Sequence, residues 1–154
     1  MNVKKKAVLT LGGVSMAAAL VGLGAAPASA ALTYGKLQNT STGYCLDGNA
    51  DGNIYPKACN AGNYQQWAFE LNGNTGYYQL KQRATLKCLD AYADGKVRLN
   101  SCNSGSYQEF EFSKNSLGGY QIWSRHWGKC LDMNSSPAIY LLKCNTGNYQ
   151  RWHR

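Results

Sequence analysis

Three aspartates stand in one context. Asp47, Asp90 and Asp132 each follow a Cys-Leu pair, at steps of 43 and 42 residues. Carboxylates do acid–base chemistry as close pairs whose pKa values are pushed apart. Carboxylates that recur once per unit are symmetry mates, so they point to three equivalent places rather than to one acid–base pair. The only histidines are His126 and His153, and the repeat favours no Ser/His/Asp arrangement. The chain therefore reads as a binding protein, not an enzyme, and nothing in it asks for a cofactor.

Six cysteines are the other reactive groups, and no two are closer than 14 positions. A zinc site wants ligands separated by two to four residues, so no metal is expected. An even number of cysteines in an exported chain points to disulfides, but the count alone allows fifteen connectivities.

Repetition narrows that choice. Cys45, Cys88 and Cys130 are spaced by 43 and 42, and so are Cys59, Cys102 and Cys144. The nonapeptide "CNAGNYQQW" at 59–67 returns as "CNSGSYQEF" at 102–110 and "CNTGNYQRW" at 144–152. Leu37, Leu80 and Ile122 each lie eight residues before the first Cys of their unit. Three units of about 42 residues result, approximately 32–73, 74–116 and 117–154. Each holds two cysteines 14 apart, so pairing within units is the economical solution: Cys45–Cys59, Cys88–Cys102 and Cys130–Cys144. Each such loop contributes about 3 kcal/mol in the chain-entropy account.

Residues 1–30 stand outside the repeat. Lys4, Lys5 and Lys6 precede an apolar run of small residues, and "ASA" at 28–30 offers a cleavage pattern. This is the form of a signal peptide, so a secreted chain beginning at Ala31 is expected. Four glycines dilute the apolar run, which is short for a membrane span; no membrane insertion is expected.

Without the three leader lysines, the sixteen basic residues become thirteen against eight acidic ones, a net charge of +5. These charges are spread along the chain. Nucleic-acid binding leaves a clustered basic face, so it is not expected. One domain and a monomer suit a 124-residue span, 31–154.

No segment of 31–154 carries helical apolar spacing. Short runs such as "YYQLKQ", "KVRLN", "YQIWS" and "AIYLLK" are broken by Gly, Asn, Asp and Ser. The expectation is all-β, with three strand-rich units sharing one core and leaving few open edges. Leu46, Leu89 and Leu131, with Trp67, Phe110 and Trp152, are the natural core donors.

"CLD" followed by "C-N-x-G-x-Y-Q-x-[WF]", three times at this period, resembles the ricin B-type lectin repeat with its Q-x-W signature. The likeness covers essentially all of 32–154 and departs once in the signature, at Phe110. It implies a β-trefoil of twelve strands that binds carbohydrate: a galactoside, a xylan-like polymer or a cell-surface glycan.

That resemblance implies shallow sugar sites, up to one per unit, around Asp47, Asp90 and Asp132. An ionised Asp can accept hydrogen bonds from neighbouring sugar hydroxyls while a ring covers the sugar's C–H face. The family's stacking aromatic lies two residues before the second Cys. Lys57, Asn100 and Leu142 stand there instead, with Tyr55 and Tyr140 displaced by two and Arg98 in the middle unit. The family's amide position holds Tyr64, Tyr107 and Tyr149, while Gln65, Gln108 and Gln150 of Q-x-W are kept. The three aspartates, Tyr55, Tyr140, Tyr64, Tyr107, Tyr149 and the three glutamines are candidate ligand contacts, although holding backbone is the alternative role for the glutamines.

The middle unit, lacking the displaced Tyr, is expected to be the weakest site. Trp123 and Trp127 occupy positions that are polar in the other units. They suggest a stacking platform beside Asp132, making the third unit the best site. Sequons occur at Asn39 and Asn134. A second reading is a β-trefoil protein-interaction module, an inhibitor or a partner of a receptor or toxin, that does not bind sugar.

Overall fold

The computed structural model describes residues 32–136 and 138–154. The leader expected at 1–30 lies outside them. Among the described residues there are thirteen strands: β1 Tyr34–Gly35, β2 Gln38–Asn39, β3 Cys45–Gly48, β4 Ile54–Lys57, β5 Trp67–Leu71, β6 Tyr78–Gln82, β7 Cys88–Ala91, β8 Val97–Asn100, β9 Phe110–Lys114, β10 Tyr120–Ser124, β11 Lys129–Met133, β12 Ile139–Leu142 and β13 Trp152–His153. Strands β1 and β2 occupy the place of one strand, β6 or β10, in the other units. That split accounts for thirteen strands instead of the expected twelve.

Antiparallel pairing runs β1-β5-β6-β9-β10-β13-β2. Because β1 and β2 share one strand position, this path closes a six-stranded barrel. Three hairpins, β3–β4, β7–β8 and β11–β12, join it through β2, β6 and β10. The arrangement is a β-trefoil, and closure removes the open edges that three separate sheets would expose.

Leu37, Leu80 and Ile122 are fully buried, as are Leu46, Leu89, Leu131, Trp67, Phe110 and Trp152. Each contributes about 1.5–3 kcal/mol through removal from water. The tryptophan rings also tie the end of each outer unit to that unit's own hairpin. Trp67 Nε1 donates to Leu46 O at 3.1 Å and Trp152 Nε1 to Leu131 O at 3.0 Å. Phe110 keeps the ring volume but has no N–H to donate.

All three disulfides form within units, as the repeat predicts, with Cα–Cα separations of 5.0 Å. Each staples the start of a hairpin to the loop that follows it. A tight turn before each hairpin requires a positive φ. Gly43 and Gly128 supply it at 71° and 61°, whereas the middle unit uses Leu86 at 58°. A side chain in this left-handed region costs about 1–2 kcal/mol.

Candidate functional site

Each "CNxGxYQ" segment folds the same way. The Asn side chain of Asn60, Asn103 or Asn145 accepts from the N–H of Gly62, Gly105 or Gly147 at 2.7 Å. This turn leads into a 3-10 helix, Asn63–Gln65, Ser106–Gln108 or Asn148–Gln150. The helix sends the Gln inward and the Tyr outward. Gln65, Gln108 and Gln150 are buried, while Tyr64, Tyr107 and Tyr149 are exposed.

The buried glutamines hold the site from beneath. Gln65 Nε2 donates to Ala58 O at 3.0 Å and to Asp47 Oδ2 at 2.9 Å, and its Oε1 accepts from Asn60 N at 2.8 Å. Gln108 repeats this with Ser101 O, Asp90 Oδ2 and Asn103 N. Gln150 keeps the two backbone bonds, to Lys143 O and from Asn145 N, but none to Asp132. Its Oε1 also accepts from Gln121 Nε2, at 3.2 Å. The expectation that these glutamines are candidate ligand contacts is therefore corrected. Their polar atoms are engaged and out of reach, and two of the three orient an aspartate.

The aspartates then diverge. Asp47 and Asp132 are 2% and 3% exposed, and Asp47 Oδ1 is buried without a hydrogen-bond partner. Directly across the hairpins stand Tyr55 and Tyr140. Burial, and then the charge of the facing Asp47 or Asp132, raises the pKa of each phenol above its ordinary value of 10.0. The displaced tyrosines thus lie beside their aspartates across the hairpins.

In the middle unit Arg98 is the residue opposite Asp90. Its guanidinium lies over the Tyr92 ring, 5.3 Å from the centroid. Asp90 is the most exposed of the three at 9%. Its Oδ2 takes bonds from Gln108 Nε2 and, at 3.2 Å, from Asn100 Nδ2. Oδ1 makes neither bond, so it remains available as an acceptor. Asn100 also donates to the Tyr92 hydroxyl.

A cavity of about 290 Å³ opens here, lined by Asp90, Ala91, Tyr92, Ala93, Tyr107 and Trp127. Trp127 comes from the third unit, and its Nε1 donates to Ala91 O at 3.0 Å. Tyr107 and Trp127 form two walls with ring centroids 5.8 Å apart and planes at 51°. His126 braces both: it stacks on Tyr107 at 3.9 Å, meets Trp127 edge-on at 4.6 Å, and its Nδ1 is 2.9 Å from Ser106 Oγ.

Two expectations change. Trp127 was expected to stack beside Asp132, but it faces the Asp90 cavity because the turn before β11 packs against the end of β7. Trp123 does not join it. Its ring is 6.3 Å from Tyr77, over which Arg125 lies at 4.8 Å. The middle unit, which lacks the displaced Tyr and was expected to be the weakest site, has two aromatic walls.

Tyr92, Asn100 and His126 were missed. Tyr92 and Asn100 carry a local signal, since both lie within the β7–β8 hairpin that holds Asp90. His126 carries none, since its contacts cross between units. Among the described residues, no cluster of His, Cys, Asp or Glu could hold a metal ion. No helix among them is long and apolar enough to cross a membrane.

The chain matches the family profile described as the ricin-type beta-trefoil lectin domain over residues 33–152. No curated protein matches it. Among solved structures it resembles ThreeFoil, a designed threefold-symmetric protein, at 28% identity and TM-score 0.70, over 77% of this chain and 95% of that one. It also resembles an exo-beta-1,3-galactanase from Clostridium thermocellum, at 26% identity and TM-score 0.68, over 79% of this chain and 29% of the enzyme. SeviL, bound to asialo-GM1 saccharide, shares 17% identity and the fold, at TM-score 0.66 over 79% and 95%.

Proposed function

This chain belongs to the ricin-type β-trefoil lectin domain family, and on that premise we propose that it binds glycans chiefly at the Asp90 site of its middle unit. Membership and the lectin neighbours support carbohydrate binding. The single observation that carries the choice of site is the cavity in which Asp90 meets Tyr107 and Trp127. Asp90 Oδ1 accepts a sugar hydroxyl, and the two rings cover apolar C–H faces.

Relative to the family pattern, ring and amide have changed places in this unit. Asn100 stands at the stacking position and bonds Asp90, while Tyr107 stands at the amide position and supplies a wall. Both functions survive because the site needs one acceptor, one donor and one apolar face, whichever strand each comes from. Asp47 with Tyr55 and Tyr64, and Asp132 with Tyr140 and Tyr149, are proposed as weaker places. Their carboxylates are more deeply buried than that of Asp90.

The working form is a secreted, non-enzymatic monomer of one domain, residues 31–154, freed of a leader at 1–30. Three disulfides suit an oxidising extracellular setting. The neighbours make galactosides the first ligands to try. Calorimetry of residues 31–154 against galactose, lactose, β-1,3-galactobiose and xylan fragments tests the reading. Saturable binding that vanishes in Asp90→Ala supports it. Silence across that panel and a wider glycan set, with a protein partner recovered instead, favours the interaction module.

A further inference from the structure

A second cavity lies on the pseudo-threefold axis, where the three hairpins meet. It measures about 600 Å³, within the range of ordinary ligand sites. Its composition follows from the repeat. Ile54, Val97 and Ile139 occupy one position in the three units and form an apolar floor. The position before them holds Asn53, Lys96 and Ala138, and the cavity also reaches Arg98 and Tyr140. Both cations come from the middle unit, so the symmetric frame presents an asymmetric charge.

Backbone hydrogen bonds secure that side. Leu99 N donates to Gly52 O at 2.8 Å and Leu141 N to Gly95 O at 2.6 Å, joining the middle unit to both neighbours. The rim beside Lys96 and Arg98 is thus tied to both neighbouring units. Asp94 also lines the cavity, and its carboxylate lies 3.2 Å from Lys96 Nζ. That pair is exposed and therefore weak. Two cations against one carboxylate leave the cavity net positive.

We propose that this axial cavity binds an acidic oligosaccharide, its carboxylate or sulfate held by Lys96 and Arg98 and its sugar ring resting on the Ile54–Val97–Ile139 floor against Tyr140. The cavity shares no lining residue with the Asp90 pocket, so the inference goes beyond the function proposed above and stands or falls separately.

Calorimetry with trigalacturonate, a sulfated galactotriose and neutral galactotriose tests it, the two acidic probes separating carboxylate from sulfate. The expected result is binding of at least one acidic probe. The double variant Lys96→Ala/Arg98→Ala should weaken it about tenfold or more. Asp94→Asn should strengthen it severalfold, and Asp90→Ala should leave it unchanged. Near-UV circular dichroism checks folding, and the substituted cations are exposed side chains. The proposal is overturned if acidic and neutral probes bind alike, if the double variant binds normally, or if Asp90→Ala removes acidic binding.

Discussion

The Asp90 and Asp132 regions are built from the same local sequence and end in opposite states. Both aspartates follow Cys-Leu, and both are followed by a hairpin and a 3-10 helix with an outward Tyr. Asp132 faces Tyr140, loses its bond to the Gln and is more deeply buried. Asp90 faces Arg98, which turns away onto Tyr92, and it gains a ring from the next unit. A pseudosymmetric fold therefore copies the frame of a site without copying its opening. Substitutions one strand away decide which copy is usable.

The largest effect should come from removing each carboxylate in turn. Asp90→Ala should weaken binding of a galactoside by about 1.5–3 kcal/mol, ten- to a hundredfold, the value of hydrogen bonds to a charged group. Asp132→Ala should change it less than twofold. Calorimetry on both variants breaks the comparison if the order reverses. Trp127→Phe sharpens it: the wall shrinks and the bond to Ala91 is lost, so affinity should fall roughly fivefold, about 1 kcal/mol. Equal affinity by fluorescence titration would mean that Trp127 braces the fold without touching sugar.

Leu86→Gly should make the middle unit more like its sisters. Relief of the left-handed strain, partly offset by glycine's entropy, should stabilise the protein by up to about 1 kcal/mol in urea unfolding. A loss of stability would show that the exposed Leu86 side chain has a packing role.

The smallest effect is a pH dependence confined to the middle unit. Burial would raise the pKa of Glu109, but hydrogen bonds from Thr75 and Arg125 outweigh it and hold the carboxyl below 4.5. A folded value below the unfolded one gives stability that is present above about pH 4.5 and lost as pH falls through the folded value. Melting temperatures between pH 6 and 3 should therefore decline, and Glu109→Gln should flatten part of that slope. The third unit, with Arg151 at this position, has no such group to titrate.

Much of the frame was legible because a repeat states its constraints three times. Cys45 and Cys59 could be paired from recurrence alone, and Leu37, Leu46 and Trp67 could be put in the core. Gln65 was legible only in part: its tie to backbone was foreseen, its hold on Asp47 was not. Trp127 was misplaced because it was read against its own unit. Counting along the chain cannot show that a turn of the third unit leans on β7 of the second. Nor could recurrence show that Asp132 would be more deeply buried than Asp90, since strand alternation gives the side a residue faces and not what it rests on.

By itself the sequence determined the class of fold, the disulfide pairing, the buried residues and the positions of three candidate carboxylates. These follow from period and polarity, which are local properties repeated in register. Only the tertiary structure decided which carboxylate is open, which ring stands beside it, and that two cations gather at the axis. Those depend on contacts between units, where side chains distant in sequence compete for the same space.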